Sequence, residues 1–75
     1  MLLVFKDIES GKAVAVEHTA VESVEEESVM FFKTAIPVDT NATISIITMR
    51  NGKIFAVLEK PPVVISRINT LNCAN

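Results

Sequence analysis

Thr43-Ile44-Ser45-Ile46-Ile47-Thr48-Met49-Arg50-Asn51-Gly52-Lys53-Ile54-Phe55-Ala56-Val57-Leu58-Glu59 sets the architecture of this 75-residue chain. Two β-branched, apolar runs flank an Asn-Gly pair, the strongest local signal for a β-hairpin. Asn51 and Gly52 both tolerate the positive φ of a two-residue type I′ turn. Such a turn predicts a register with Met49 opposite Ile54, Ile47 opposite Ala56 and Ser45 opposite Leu58 on one face. On the other face it sets Thr48 against Phe55, Ile46 against Val57 and Ile44 against Glu59. A hairpin with one wet face alternates apolar and polar residues; this one does not, so it needs a cover on both sides.

Working outward, Leu2–Ile8 reads as a strand, Glu9-Ser10-Gly11-Lys12 as a tight turn and Ala13–Glu17 as the return strand. Glu9 and Lys12 are expected to face each other there. Residues 19–28 read two ways. Thr19-Ala20-Val21-Glu22 fits a capping box, and Val21 and Val24 stand three apart, as on a helical face. The β-branched content argues instead for an irregular strand. Glu25-Glu26-Glu27 is a solvated surface. Ser28–Thr34 reads as a strand. Ile36–Ala42 reads as a loop, because Pro37 has no N–H to give a ladder and Asp39 and Asn41 favour turns. Lys60-Pro61-Pro62 ends the second strand of the hairpin. Residues 63–69 suit a helix or a strand: proline fits a first helical turn and Val64 and Ile68 stand four apart, yet the segment is β-branched. Asn72-Cys73-Ala74-Asn75 is expected to fray. The chain is thus one domain, 1–75, mainly β with α+β as the alternative. Its expected form is a small antiparallel sheet or partly open barrel of two hairpins plus a middle strand, with a short C-terminal helix or strand.

Composition excludes several classes of function. Nine acidic and seven basic residues leave a formal charge of -2, so the basic footprint that neutralises phosphates is missing and no nucleic-acid partner is expected. No stretch approaches the ~20 apolar residues of a membrane span. Met1-Leu2-Leu3-Val4-Phe5 lacks a basic n-region and is interrupted by Lys6-Asp7, so it is no signal peptide; a cytoplasmic setting is expected. In that setting the match of Asn41-Ala42-Thr43 to a glycosylation pattern is fortuitous. One cysteine excludes an internal disulfide, and one histidine with one cysteine does not make a zinc site. Consecutive glutamates rarely converge on one cation. Gly11 and Gly52, the only glycines, are both assigned to turns, which leaves no phosphate-binding loop. His18 and Cys73 are the only natural base and nucleophile, and nothing in the pattern brings them together. No catalytic residue, no metal site and no cofactor are predicted.

A chain of this size buries only about 60% of its unfolded surface, and oligomerisation is the remaining means of support. A homo-oligomer is therefore expected. Its interface is placed on the hairpin face bearing Ile44, Ile46, Thr48, Phe55, Val57 and Glu59, which combines an aromatic anchor with a polar rim. The opposite face is assigned to the internal core. The expected function is a non-catalytic interaction or regulatory accessory module that binds itself and another protein. The alternatives are a structural subunit whose self-assembly is its function, and a binder of small apolar ligands.

Asn51-Gly52-Lys53-Ile54-Phe55-Ala56-Val57-Leu58-Glu59, followed by Val64-Ile65 and Ile68, resembles the pattern N-G-K-x-F-x-V-x-E with a later V-I-x-x-I in the small flagellar accessory proteins FlbD and SwrD. Val21-Glu22-Ser23-Val24-Glu25 is similar to that family's I-E-x-V-E stretch. The resemblance covers about half the chain. It implies a small β-rich domain with a short terminal helix and no catalytic residues, and an accessory protein of a bacterial, phage or mobile-element genome fits it. Two differences stand out: the stretch from Glu26 to Asn41 is longer than the family's connection, and Lys60-Pro61-Pro62 replaces acidic residues before the terminal helix.

Overall fold

Two antiparallel sheets meet at a single backbone bridge, in a computed structural model that describes residues 1–73. β1 (Leu2–Lys6) pairs with β2 (Ala13–Glu17). A 3₁₀ turn, His18–Ala20, leads into β3 (Val21–Ser28), and a second, Val29–Phe31, opens the irregular segment before β4 (Thr43–Met49). β5 (Ile54–Val57) follows, and α1 (Pro61–Cys73) ends the described chain. The second sheet has the order β3-β4-β5. The sheets join where Asp7 bridges Val57 and the Ile8 N–H donates to the Ala56 carbonyl at 2.9 Å. They do not close into a barrel, and the fold is the small, mainly β arrangement expected, with its terminal segment helical.

The register of the β4–β5 hairpin differs by one residue from the expected one. Ile47 lies opposite Phe55, Ser45 opposite Val57, Ile46 opposite Ala56 and Thr48 opposite Ile54. The cause is the turn. Asn51 does not take positive φ; Gly52 alone does, at 90°. The Gly52 N–H donates to the Met49 carbonyl, and the Met49 N–H donates to the Lys53 carbonyl. This is a three-residue loop, Arg50-Asn51-Gly52, with glycine as the bulge residue. The Asn51 side chain accepts from the Lys53 N–H at 2.9 Å, which ties Asn51 into the turn without a left-handed backbone. One residue of slip exchanges the cross-strand partners of every side chain in β5.

Both faces of the hairpin are covered, as its composition demanded. On one face Ile47, Met49 and Val57 pack with Leu3 and Phe5 of β1, Val16 of β2 and Val64 of α1. On the other, Ile44 and Ala56 pack with Ile8 and Val29, flanked by Phe32, Ile36, Val38 and Ala42. The second cover is the chain's own 32–42 segment. That segment is irregular, so the strand expected over Ser28–Thr34 does not form; extended structure lies earlier, in β3. Phe32, Ile36 and Val38 are half-buried, as anchors of a loop rather than members of a ladder.

β3 explains the helical spacing of Val21 and Val24. Its register against β4 shifts between Val21 and Ser23, so the strand carries one extra residue there. The bulge turns two valines three apart onto one face, where both pack on the first cluster. The turn after β1 also departs from expectation. The pairing across it is Asp7 with Lys12, whose carbonyl accepts the Asp7 N–H at 2.9 Å, rather than Glu9 with Lys12. Gly11 sits at φ 73°.

α1 begins at the two prolines, whose missing N–H groups are no loss in a first turn. Val64 is buried and Ile68 and Leu71 are half-buried, all directed at the first cluster. Its helical backbone continues through Cys73, into the stretch expected to fray; Ala74 and Asn75 lie outside the described residues. No described helix is long and apolar enough to cross a membrane.

Candidate interaction surface

The observed register separates the residues assigned from sequence to one interface. Ile44 is fully buried in the second cluster, Ile46 packs against that cluster and Thr48 lies on the same face. Phe55 and Val57 face the other way, into the first cluster, with Val57 only 1% exposed. Glu59 lies past the end of β5, and both of its carboxylate oxygens accept from Arg67 Nη1 at 2.7 Å. The six residues therefore form no common surface: three lie on one side of the hairpin, two on the other, and the last closes a corner.

The corner is a junction of three elements. Arg67 on α1 also donates from Nη2 to the Val4 carbonyl of β1 at 2.9 Å, and its guanidinium stacks 4.4 Å from the centre of the Phe5 ring. The planar fork of arginine can make all three contacts at once. Nearby, the buried Ser45 hydroxyl donates to the Glu59 carbonyl, so its polar group is satisfied.

Exposed large apolar side chains occur at several places, Met30, Phe31, Ile54, Leu58, Val63 and Ile65 among them, and on the first hairpin two of them share one outer face. β1 and β2 turn Leu3, Phe5 and Val16 inward and present Leu2, Val4, Ala13 and Ala15 outward. Leu2 is 61% and Val4 56% exposed. Across the strands Val4 faces Ala15, Leu2 faces Glu17 and Lys6 faces Ala13. Among the described residues β2 pairs on one side only. Its free edge, Ala13–Glu17, carries no proline or bulge and a single charge, Glu17 at its end, so it has few of the devices that normally blunt an edge strand. The other outer strand, β3, exposes Glu22, Glu25, Glu26 and Glu27 along its length. The signal for this surface was present in the sequence as an alternation in which the outward residues are alanine instead of polar.

At the end of β2, Glu17 Oε1 accepts from the Met1 ammonium at 2.7 Å, and His18 Nδ1 lies 2.9 Å from the same oxygen. The ammonium above all, then His18, holds the Glu17 carboxyl below its ordinary range. Elsewhere, Val29, Met30, Phe32, Thr34, Val38 and Thr40 line an open cleft of about 300 Å³ beneath the irregular segment. Among the described residues no three His, Cys, Asp or Glu side chains gather as a metal site would require. No known protein family, curated protein or solved structure matches the chain.

Proposed function

We propose that this chain acts by association and not by catalysis, as a small accessory module that joins copies of itself through its first hairpin and so presents that hairpin's outer apolar side to a further protein. The observation that carries the reading is the contrast between its two hairpins. The longer has a packed cluster on each face and leaves one large apolar side chain of its strands, Ile54, more than half exposed, whereas the shorter leaves both Leu2 and Val4 so on one outer face beside two alanines. A contiguous apolar strip on a small domain is a contact surface before it is anything else. A cytoplasmic setting and a bacterial or phage origin belong to the same proposal. So does the accessory role that the resemblance to FlbD and SwrD implies.

Light scattering across a concentration series tests this reading. The chain is expected at a multiple of 8.2 kDa, and the Leu2→Lys/Val4→Lys variant at the same mass with an unchanged circular dichroism spectrum but without the apolar side that a further protein would meet. A wild-type chain that remains monomeric throughout overturns it.

The cleft under Phe32 favours a second reading, a binder of small apolar ligands. Its lining joins four apolar side chains to two threonine hydroxyls, the usual balance of a small-molecule site. Saturable fluorescence enhancement of an anilinonaphthalene dye, lost in Phe32→Ala while the fold is kept, would support it. Dye response that is absent or independent of Phe32 would dismiss it.

A further inference from the structure

We infer that two copies of this chain pair antiparallel along the free edge of β2, about a twofold axis at Ala15, to form one continuous sheet. The inference rests on the self-association proposed above and assigns its geometry. The Asp7 N–H bonds to the Lys12 carbonyl, and the His18 N–H bonds to the Met1 carbonyl. In an antiparallel ladder bonded pairs alternate with non-bonded ones. Between those two points, Phe5 with Val14 and Leu3 with Val16 are therefore the bonded pairs. Ala13, Ala15 and Glu17 turn their N–H and C=O groups away from β1. A second strand can bond only to those residues, and this phase restricts the register. Centring on Ala15 uses them all: Ala15 meets Ala15 of the second copy, and Ala13 meets its Glu17.

The side chains agree with that register. On the outer side the rows read Val4, Ala15, Ala15, Val4 across the axis and Lys6, Ala13, Glu17, Leu2 on each side of it. The first row extends the exposed apolar strip without interruption. In the second, Lys6 of one copy and Glu17 of the other stand two strand spacings apart, roughly 10 Å between Cα atoms. Only the methyl group of Ala13 lies between them, and a lysine ammonium reaches across it. Glu17 receives its intramolecular bonds on Oε1, and none of them uses Oε2. On the inner side Val14 meets Val16, a β-branched cross-strand pair. The edge is thus complementary to its own inverse. β3 cannot serve in the same way, because its row of glutamates would face another row. One open edge and one charged edge yield a closed pair and not a fibre.

The test uses the full chain in a Cys73→Ser background, with circular dichroism on every variant. Three results are expected: a mass of two protomers; a disulfide-linked dimer on mild oxidation of Ala15→Cys; and a dissociation constant raised about tenfold or more by Ala15→Lys, which sets two ammonium groups face to face. Ala15 is exposed and its N–H points outward, so neither change touches the protomer's core. Lys6→Glu should weaken the dimer, and Lys6→Glu with Glu17→Lys should restore it. A monomeric wild type overturns both this inference and the functional proposal. A dimer that tolerates Ala15→Lys, fails to crosslink through Ala15→Cys and shows no recovery in the charge swap overturns the edge pairing alone. Should Ala15→Lys prove misfolded, the crosslink and the charge swap decide the matter.

Discussion

Gly11 and Gly52 occupy the same left-handed region of backbone space in different surroundings. Any side chain costs about 1–2 kcal/mol in that conformation. At Gly52 an added Cβ meets nothing within 4 Å, whereas at Gly11 it lies 3.4 Å from the Ala35 Cβ and 3.6 Å from Ile36. Those separations are ordinary van der Waals contacts, so Gly11→Ala should melt no lower than Gly52→Ala, both losing stability through the backbone alone. A Gly11→Ala variant that melts several degrees below Gly52→Ala in thermal scans would show that the 32–42 segment cannot accept the methyl group. Arg67 is the other residue whose role is individual. Its fork holds Glu59 and the Val4 carbonyl while its plane covers Phe5. Lysine can satisfy only part of this, so Arg67→Lys should lose about 1–2 kcal/mol in urea unfolding, a figure reduced for the partial exposure of the pair. A loss under about 0.5 kcal/mol would reduce Arg67 to an ordinary surface cation.

At the scale of elements, the β4–β5 pairing makes Ile47 and Phe55 direct neighbours on one face. Ile47 is fully buried, and Ile47→Glu should unfold the chain. Phe55→Glu should destabilise the same cluster and not merely dissociate an assembly. Ile54→Glu, at a site 61% exposed, should leave the fold intact. Circular dichroism of the three variants checks the register; an unfolded Ile54→Glu beside a folded Phe55→Glu would restore the two-residue turn. The elements themselves were largely legible. Asn51-Gly52 located the hairpin, the prolines ended its second strand and allowed a helix without deciding it against a strand, and the demand for two covers followed from composition. What local pattern could not supply was the choice between a two- and a three-residue loop, since Asn-Gly fits both. That choice sorted the side chains, so the candidate interface assembled from Ile44 to Glu59 came apart with it. Val21 and Val24 mimicked a helix because a bulge and a helical turn both bring residues three apart onto one side. The Glu59–Arg67 pair left no mark, because a proline corner set by tertiary packing lies between them.

Over the whole molecule, two modest clusters lie on opposite faces of one hairpin in a body measuring 38 × 21 × 18 Å. β4 alone is paired on both sides and packed on both faces. Its amides should exchange only through global unfolding, while those of residues 33–42 exchange through local opening and far faster. Equal protection in the two segments would mean that the irregular cover is as cooperative as the sheet. The arrangement also bears on how the chain reaches this state. The inner side of the first hairpin is covered by Ile47, Met49, Val57 and Val64, and the bond from Arg67 to Val4 spans 63 positions of the sequence. Few of these contacts are available to a half-collapsed chain, because the loop entropy of closing such distances comes before any reward. Folding is accordingly set by topology and belongs with the slow, millisecond-to-second class of small β proteins. Until β4, β5 and α1 dock, the side of β1 that carries Leu3 and Phe5 stays wet, and in that interval the nascent hairpin is open on both of its faces.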